Sequence, residues 1–476
     1  MGYEMVVGLE VHAQLQTEAK VFAPEAVTFG APPNQFVSWI SLGYPGTLPV
    51  VNRACIEAVV RLGLALRCTI AKEFFFSRKN YFYPDLPKGY QITQEAAPIA
   101  YGGEVWIRLP DGSRRRVGIE RLQLEEDTGK SLHDQDPFDT LLDFNRAGIG
   151  LVEIVSAPDL RTPQEAMAYL SHLRRLVRFL GICDGNMEEG SLRCDANISV
   201  RPVGQESLGT RVEIKNLNSI TALGKALEYE FQRQVALLEA GQEVKRETRT
   251  WDGSQTLPLR EKETAEDYRY FPEPDLPPIR ISEAWLQNLR ASLPELPEEL
   301  FDRLTEAYGL SVEEATLITE DRPYVEYFQG LLGEGISPKV AAVWLNGPIR
   351  AYLNAQALEM SAFPVPPARL ARLIDLVERR LVSFTMAREV LFPALIHDPQ
   401  ADPLALAQEK DLILLQDHAT LERWIGEVLA ENPDKVETYR KGKKGLLGFF
   451  VGQVMRRSGG KADPQEVQRL LTEKLS

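Results

Sequence analysis

Glu10 and His12 stand two residues apart in Val7-Gly-Leu-Glu-Val-His-Ala-Gln-Leu15. Successive side chains of a strand point to opposite faces, so Leu9, Val11, Ala13 and Leu15 share one face while Glu10, His12 and Gln14 share the other. The same alternation runs through Arg121-Leu-Gln-Leu-Glu125, Arg193-Cys-Asp-Ala-Asn-Ile-Ser-Val200 and Arg211-Val-Glu-Ile-Lys215. It sets Glu125, Asp195, Asn197, Glu213 and Lys215 opposite apolar neighbours. Carboxylates gathered on one sheet repel one another and need counter-charge, which divalent cations and a bound nucleotide would supply. That composition is the one phosphoryl transfer requires. A solvated sheet face gives the same pattern in any single strand, and a structural histidine would account for His12 by itself. Imidazole suits Mn or Zn as well as Mg.

Other chemistries are missing from the sequence. Gly129-Lys-Ser131 resembles the end of a P-loop, but Leu124 stands where the first glycine is required and Glu125-Glu-Asp127 would repel phosphates. There is no Gly-x-Ser-x-Gly elbow and no Ser/Gly-rich amidase signature, hence no acyl-transfer nucleophile. If the reaction consumes ammonia, another chain must make it. The net charge of −14 excludes a protein that coats nucleic acid nonspecifically. The four cysteines, Cys55, Cys68, Cys183 and Cys194, lack the short spacing of a thiolate metal site and are expected to be reduced. With neither a leader pattern nor a bilayer-length apolar run, the expected location is the cytoplasm and no membrane contact is expected.

The elements that must position these residues form an α+β chain. Short alternating runs up to about Pro278 predict a domain built on a large, mostly antiparallel sheet, with helices over Thr162 to Leu180 and Ala222 to Ala240. Phe271-Pro-Glu-Pro-Asp-Leu-Pro-Pro278 then excludes helix and central strand. Beyond it, Pro294 to Tyr308, Pro338 to Leu353 and Pro367 to Arg380 carry helical spacing. A second break near His397 to Pro403 leaves a small helical tail. The expected boundaries are 1–292, 293–404 and 405–476. In the tail, Lys435, Arg440, Lys441, Lys443, Lys444, Arg456, Arg457 and Lys461 surround one apolar helix and are opposed in sequence only by Glu437. Leu447, Phe450, Val451 and Val454 share a face of that helix, and Gly448 and Gly452 would admit a close neighbour. Arg456 and Arg457 also fit as simple complements of the helix C-terminus.

Five ordered motifs carry a resemblance. Gly8-Leu-Glu-Val-His-Ala-Gln-Leu15, Ser77 to Ile92, Glu189 to Ile198, Glu213-Ile-Lys-Asn-Leu-Asn-Ser219 and Asp267-Tyr-Arg-Tyr-Phe-Pro-Glu-Pro-Asp-Leu-Pro-Pro278 are similar to those of the B-subunit family of tRNA-dependent amidotransferases. The resemblance implies an N-terminal cradle domain similar to the catalytic domain of glutamine synthetase, followed by two all-α domains. It also implies an activity: ATP converts the side-chain carboxylate of Glu-tRNA(Gln) or Asp-tRNA(Asn) to an acyl phosphate, which ammonia from a partner amidase turns into the amide. The implied metal shell, for Mg with Mn as an alternative, is Glu10, His12, Glu125, Asp195 and Glu213, with Glu126, Glu189 and Asn216 as further members. Lys79, Lys88 and Lys215 join Glu125 as catalytic candidates that contact phosphate or carboxylate oxygens. Tyr81, Asp85, Lys88, Tyr90 and Gln91 are candidates for a polar ammonia passage; a proline-fixed turn equally explains Asp85 and Tyr90.

The implied partners are a glutamine-hydrolysing amidase and a small third protein, which complete a heterotrimer, with tRNA held by Arg440, Lys441, Lys443, Lys444, Arg456 and Arg457. One departure stands out: many members bind zinc with two cysteine pairs near the N-terminus, whereas the matching positions here are Ala23, Glu25, Ser38 and Ser41. One carboxylate cannot replace four thiolates, so no zinc is expected, and Phe22, Phe29, Phe36 and Trp39 are expected to hold this region by packing. A different class of function, a noncatalytic adaptor that docks tRNA on a partner enzyme, would need the tail and not the acidic strands.

Overall fold

The computed structural model describes residues 2–133, 135–261, 267–414, 417–459 and 461–475. The chain divides into two compact units, Met1–Glu299 and Leu300–Ser476. The first is built on a ten-stranded sheet made of β1 (Tyr3–Gln14), β2 (Thr69–Ile70), β3 (Ala100–Tyr101), β4 (Glu104–Arg108), β5 (Arg114–Glu126), β6 (Gly150–Ser156), β7 (Leu192–Pro202), β8 (Val212–Lys215), β9 (Glu247–Trp251) and β10 (Thr256–Glu261). Their spatial order is β10-β9-β8-β7-β1-β6-β5-β3-β2, with β4 pairing the outer part of β5. Every pairing is antiparallel except β8 with β9, whose residues Glu213 and Thr248 stand in register as parallel neighbours. A parallel pair needs a crossover, supplied here by the helix Ile220–Glu239.

Period-2 patterning decides which face is dry. Leu9, Val11 and Ala13 of β1, Leu122 and Leu124 of β5, Val152 and Ile154 of β6, Ala196 and Ile198 of β7 and Val212 and Ile214 of β8 are completely buried. The helices Arg53–Ala65, Pro163–Phe179 and Ile220–Glu239 contribute Val59, Leu62, Tyr169, Leu173, Leu223 and Leu227 to the same core. Truncating one of these leucines to alanine would cost about 2–5 kcal/mol. Helix Pro163–Phe179 shows how locally the covering layer is specified. Thr162 accepts from the Glu165 N–H, the Glu165 carboxylate accepts from the Arg161 N–H at 2.7 Å, and Pro163 needs no donor. Gly181, at φ 65°, ends it.

A small sheet of Ser77–Asn80, Tyr90–Thr93 and Phe271–Pro272 stands beside the main one. Its proline lies at an edge, where a missing N–H costs no ladder bond. The second unit is helical throughout its described secondary structure. Its helices start where capping chemistry allows, as at Ser311, which exchanges hydrogen bonds with Glu314 in a full capping box. Near the C-terminus Leu421, Ile425, Phe450, Val454, Leu470 and Leu471 form their own apolar cluster.

Two packing expectations fail. Trp39 is 70% exposed and Phe29 74% exposed, and only Phe22 of the four aromatic residues is fully sequestered. The 20–41 segment is held by polar contacts instead. The fully buried Lys20 donates to the Phe36 carbonyl at 2.7 Å, and the Glu25 carboxylate accepts from the Ser38 N–H at 2.8 Å and from the Ser41 hydroxyl. In the tail, Gly448 and Gly452 face open space, so no helix among the described residues makes the close approach that their spacing invites.

Candidate functional site

The polar face of the main sheet lines a cleft of about 610 Å³. Register brings its acids into one band across five adjacent strands: Glu10 faces Asp195, Asn197 faces Glu213, His12 faces Glu153 and Leu151 faces Glu125. Two groupings result. In the first, Glu10, Asp195 and Glu213 each bring an oxygen within 4.8 Å of the other two. In the second, His12 Nε2 lies 3.8 Å from Glu125 Oε1 and 3.6 Å from Glu153 Oε1.

Hydrogen bonds aim these groups. Asn197 donates to Glu10 at 2.9 Å, Thr93 to Glu125 at 3.0 Å and Thr248 to Glu213 at 2.8 Å. Lys215 Nζ sits 2.7 Å from Asp195 and 3.4 Å from Glu213. Burial alone would lower the Lys215 pKa, but those two carboxylates hold it above the ordinary lysine range. Burial, reinforced by Arg193, holds His12 far below its usual value, leaving a neutral imidazole. Burial lifts Glu125, and burial together with Glu125 and Glu10 lifts Glu153. Asp127 behaves oppositely: burial opposes ionisation, but Arg193, with two contacts at 2.9 Å, and Arg146 keep it charged. A neutral imidazole beside two carboxylates whose ionisation burial opposes is an arrangement that an oxygen-preferring divalent cation would relieve.

One wall of the cleft is a strap. Asn80 donates to the carbonyls of Tyr268 and Arg269 at 3.2 and 2.9 Å, and Lys79 Nζ lies over the Tyr268 ring, 4.6 Å from its centroid. The strap is locked by Arg78, which makes two bonds, 2.7 and 2.9 Å, to the fully buried carboxylate of Glu273 and a third, 3.2 Å, to Asp275. Its guanidinium stacks on Tyr90, 4.1 Å from the ring centroid.

Of the residues singled out by sequence, Glu10, His12, Glu125, Asp195, Glu213, Lys215, Lys79, Tyr81 and Gln91 line this cleft. Lys88 and Tyr90 do not; they border a separate cavity of about 130 Å³ together with Glu126, to which Lys88 is ion-paired. Gly43, at φ 68°, makes room for Lys88, since a Cβ there would lie 2.5 Å from its Cγ. Alternation separates these groups: Tyr90 and Gln91 are consecutive on one strand, as are Glu125 and Glu126 on another. Asp85 lines neither cavity among the described residues; its carbonyl accepts from Gly129 at 2.8 Å. Asn216, at φ 65°, donates to the Trp251 carbonyl, and Glu189 is exposed, so neither joins the acids.

Sequence reasoning missed Glu153. It sits in Gly150–Ser156, an apolar run buried on both faces, and its one signal was being the lone acid in that run. Asp127, Arg193, Tyr268 and Tyr270 were also missed. In the tail, Glu437 is not the sole opponent of the basic cluster. Arg457 pairs with Glu427 at 3.1 Å and Glu431 at 2.7 Å, and Lys461 pairs with Asp411. Lys441 pairs with Glu437 at 2.6 Å, whereas Lys444 stacks on Tyr439.

Set against known families, residues 5–287 match the model described as the GatB/GatE catalytic domain, and residues 326–475 match that of the GatB domain. Curated relatives match from end to end. A protein named as the B subunit of aspartyl/glutamyl-tRNA(Asn/Gln) amidotransferase, from Thermosynechococcus vestitus, is 50% identical, over 100% of this chain and 97% of its own. One of the same name from Alkalilimnicola ehrlichii is 48% identical over the whole of both chains. Another, from Synechococcus sp. strain JA-3-3Ab, is 49% identical over 98% of this chain and 97% of its own.

Proposed function

We infer the reaction from a premise now in hand, that this chain belongs to the B-subunit family of aspartyl/glutamyl-tRNA(Asn/Gln) amidotransferases. It activates the side-chain carboxylate of Glu or Asp misacylated on tRNA with ATP, and ammonia from a partner completes the amide. Direct amidation fails because a carboxylate resists a neutral amine and hydroxide leaves poorly. In the first step a carboxylate oxygen bonds to the γ-phosphorus and the bond to ADP breaks. In the second, the ammonia nitrogen bonds to the acyl carbon, phosphate departs and a proton is lost.

The band of acids across β8, β7, β1, β6 and β5 is the observation that carries the assignment of roles. Glu10, Asp195 and Glu213 would hold one divalent cation and His12, Glu125 and Glu153 another, Mg with Mn as alternative; the donor set of carboxylates and one neutral imidazole fits such ions. Cations bound there would neutralise charge on the transferring phosphoryl group. Lys215 and Lys79 orient phosphate and carboxylate oxygens. Glu125, which lines the cleft and is held by Thr93, joins them as a catalytic candidate. Lys88 is ion-paired with Glu126 outside the acidic cleft, which favours a place for it, with Tyr90, along the ammonia passage rather than at phosphate. Tyr81 and Gln91, which line the cleft and share a 3.3 Å hydrogen bond, fit the passage's inner end.

The cradle's kinship to the glutamine synthetase catalytic domain, a glutamine-hydrolysing amidase and a small third protein as partners in a heterotrimer, a separate tail domain from 405 onward and a cytoplasmic location complete this reading. The tail cluster around Phe450 supports a separately packed tRNA-binding part. No helix among the described residues is long and apolar enough to cross a membrane. The test is incubation of the full chain with ATP, Mg²⁺ and mischarged tRNA, with its partner proteins present. RNA-dependent phosphate release is expected, and Glu10→Ala or Asp195→Asn should abolish it while tRNA still binds. If neither substitution affects amidation, the chain is a docking adaptor and the catalytic assignment is wrong.

A further inference from the structure

The cations of the acidic cleft are not alike. Lys215 is neutralised in place by Asp195 and Glu213, and Arg193 by Asp127. Arg211 and Arg246 also line the cleft, both exposed, yet among the described residues neither lies within 4.0 Å of a carboxylate. Their placement follows from the parallel pair. Glu213 of β8 and Thr248 of β9 are register partners, and Arg211 and Arg246 are the residues that lead directly into these two adjacent strands, so both enter the cleft at the same end of the parallel pair. Two guanidinium forks at the rim of one cleft, neither held by a carboxylate among the described residues, suit phosphate oxygens, which they can bind bidentately. Arg211 precedes Glu213 by two residues and Arg246 precedes its register partner Thr248 by two, which sets both beside the Glu10, Asp195 and Glu213 grouping.

We propose that Arg211 and Arg246 form a phosphate subsite that grips the polyphosphate tail of the nucleotide. This rests on the reading of the cleft as a phosphoryl-transfer site. Phosphodiesters at the end of an RNA offer the same chemistry, and the choice of nucleotide follows from the adjoining carboxylates, which repel an RNA backbone but with cations bound accept a polyphosphate.

The test uses the full chain with its partner proteins and the variants Arg211→Gln, Arg246→Gln and the double. Thermal unfolding of each should match wild type, since both side chains are exposed. Binding of Mg²⁺–tripolyphosphate is measured directly, without turnover, and should weaken about tenfold for each single variant, on the order of one charge-assisted hydrogen bond removed. The KM for ATP should rise in parallel while the KM for mischarged tRNA stays unchanged, and Arg211→Lys should recover part of the loss. A double variant that binds tripolyphosphate as wild type does, or one in which only the tRNA KM rises, overturns the proposal. Because the binding arm needs no reaction, a wild-type protein that binds tripolyphosphate yet releases no RNA-dependent phosphate would refute the assigned reaction and leave the subsite standing.

Discussion

Arg78→Ala would strip the partner from a carboxylate that has no solvent to fall back on. Glu273 is fully buried at its side chain and Arg78 is 19% exposed, so both bonds between them are made in a largely dry environment. Removing one member of such a pair costs about 3–5 kcal/mol, most of it the penalty for the stranded charge. Two outcomes compete. If the strap stays down, the whole cost falls on the first unit, and at roughly 2–4 °C per kcal/mol the melting temperature drops by about 6–20 °C. If the strap lifts instead, Glu273 hydrates and global stability changes little, because local opening caps the cost at the strap's own docking free energy. Tyr268 then leaves Lys79, and activity falls. Denaturant unfolding together with turnover therefore captures the effect on one axis or the other. The double variant Arg78→Met with Glu273→Met carries no stranded charge and should recover most of the loss. An Arg78→Ala protein with wild-type stability and wild-type turnover would refute the clasp, as would a double variant worse than the single.

Lys20 gives a pH prediction. Burial pushes its pKa down from 10.5 to about 8. Between those values the unfolded chain keeps a proton that the folded chain has released, so stability should rise as pH climbs from about 8 towards 10.5. Urea unfolding across that window should show a positive slope that Lys20→Met flattens; equal slopes in the two proteins would disprove it. In the tail, replacing Lys441, Lys443 and Lys444 with alanine should weaken tRNA binding and lower the salt slope by about 0.7–0.9 for each phosphate no longer neutralised. Arg457→Ala should matter less, since Glu427 and Glu431 already hold that side chain. A salt titration identical to wild type would sink the tail's role.

What could be read from sequence was whatever alternation encodes. Leu9, Val11 and Ala13 point one way and Glu10 and His12 the other, and the same rule placed Asp195 and Glu213 in the cleft. Glu153 escaped because β6 is buried on both sides, which erases the polar-apolar contrast on which period-2 reading depends. The 20–41 segment misled in the opposite sense. Its aromatic residues look like core, yet Trp39 lies on the surface against Tyr44, and the ordering comes from Lys20 and Glu25, which bond the Phe36 carbonyl and the Ser38 N–H, backbone groups that leave no signature in residue type. The tail was read as more basic than it is because the acids that neutralise Arg457 come from an earlier helix, near in space and distant in sequence.

The position of β1 in the middle of the sheet has a consequence for how the chain is made. This strand is synthesised well before either neighbour, Gly150–Ser156 on one side and Leu192–Pro202 on the other. At ribosomal rates of about 5–20 residues per second, the second neighbour arrives roughly 190 residues and 10–40 s later. Until Gly150–Ser156 is made both edges of β1 lack a native partner, and one edge stays open until Leu192–Pro202 follows, the condition in which nascent strands aggregate. A truncated chain ending before Glu213 could not assemble the acidic cleft, however much of its earlier sequence had folded.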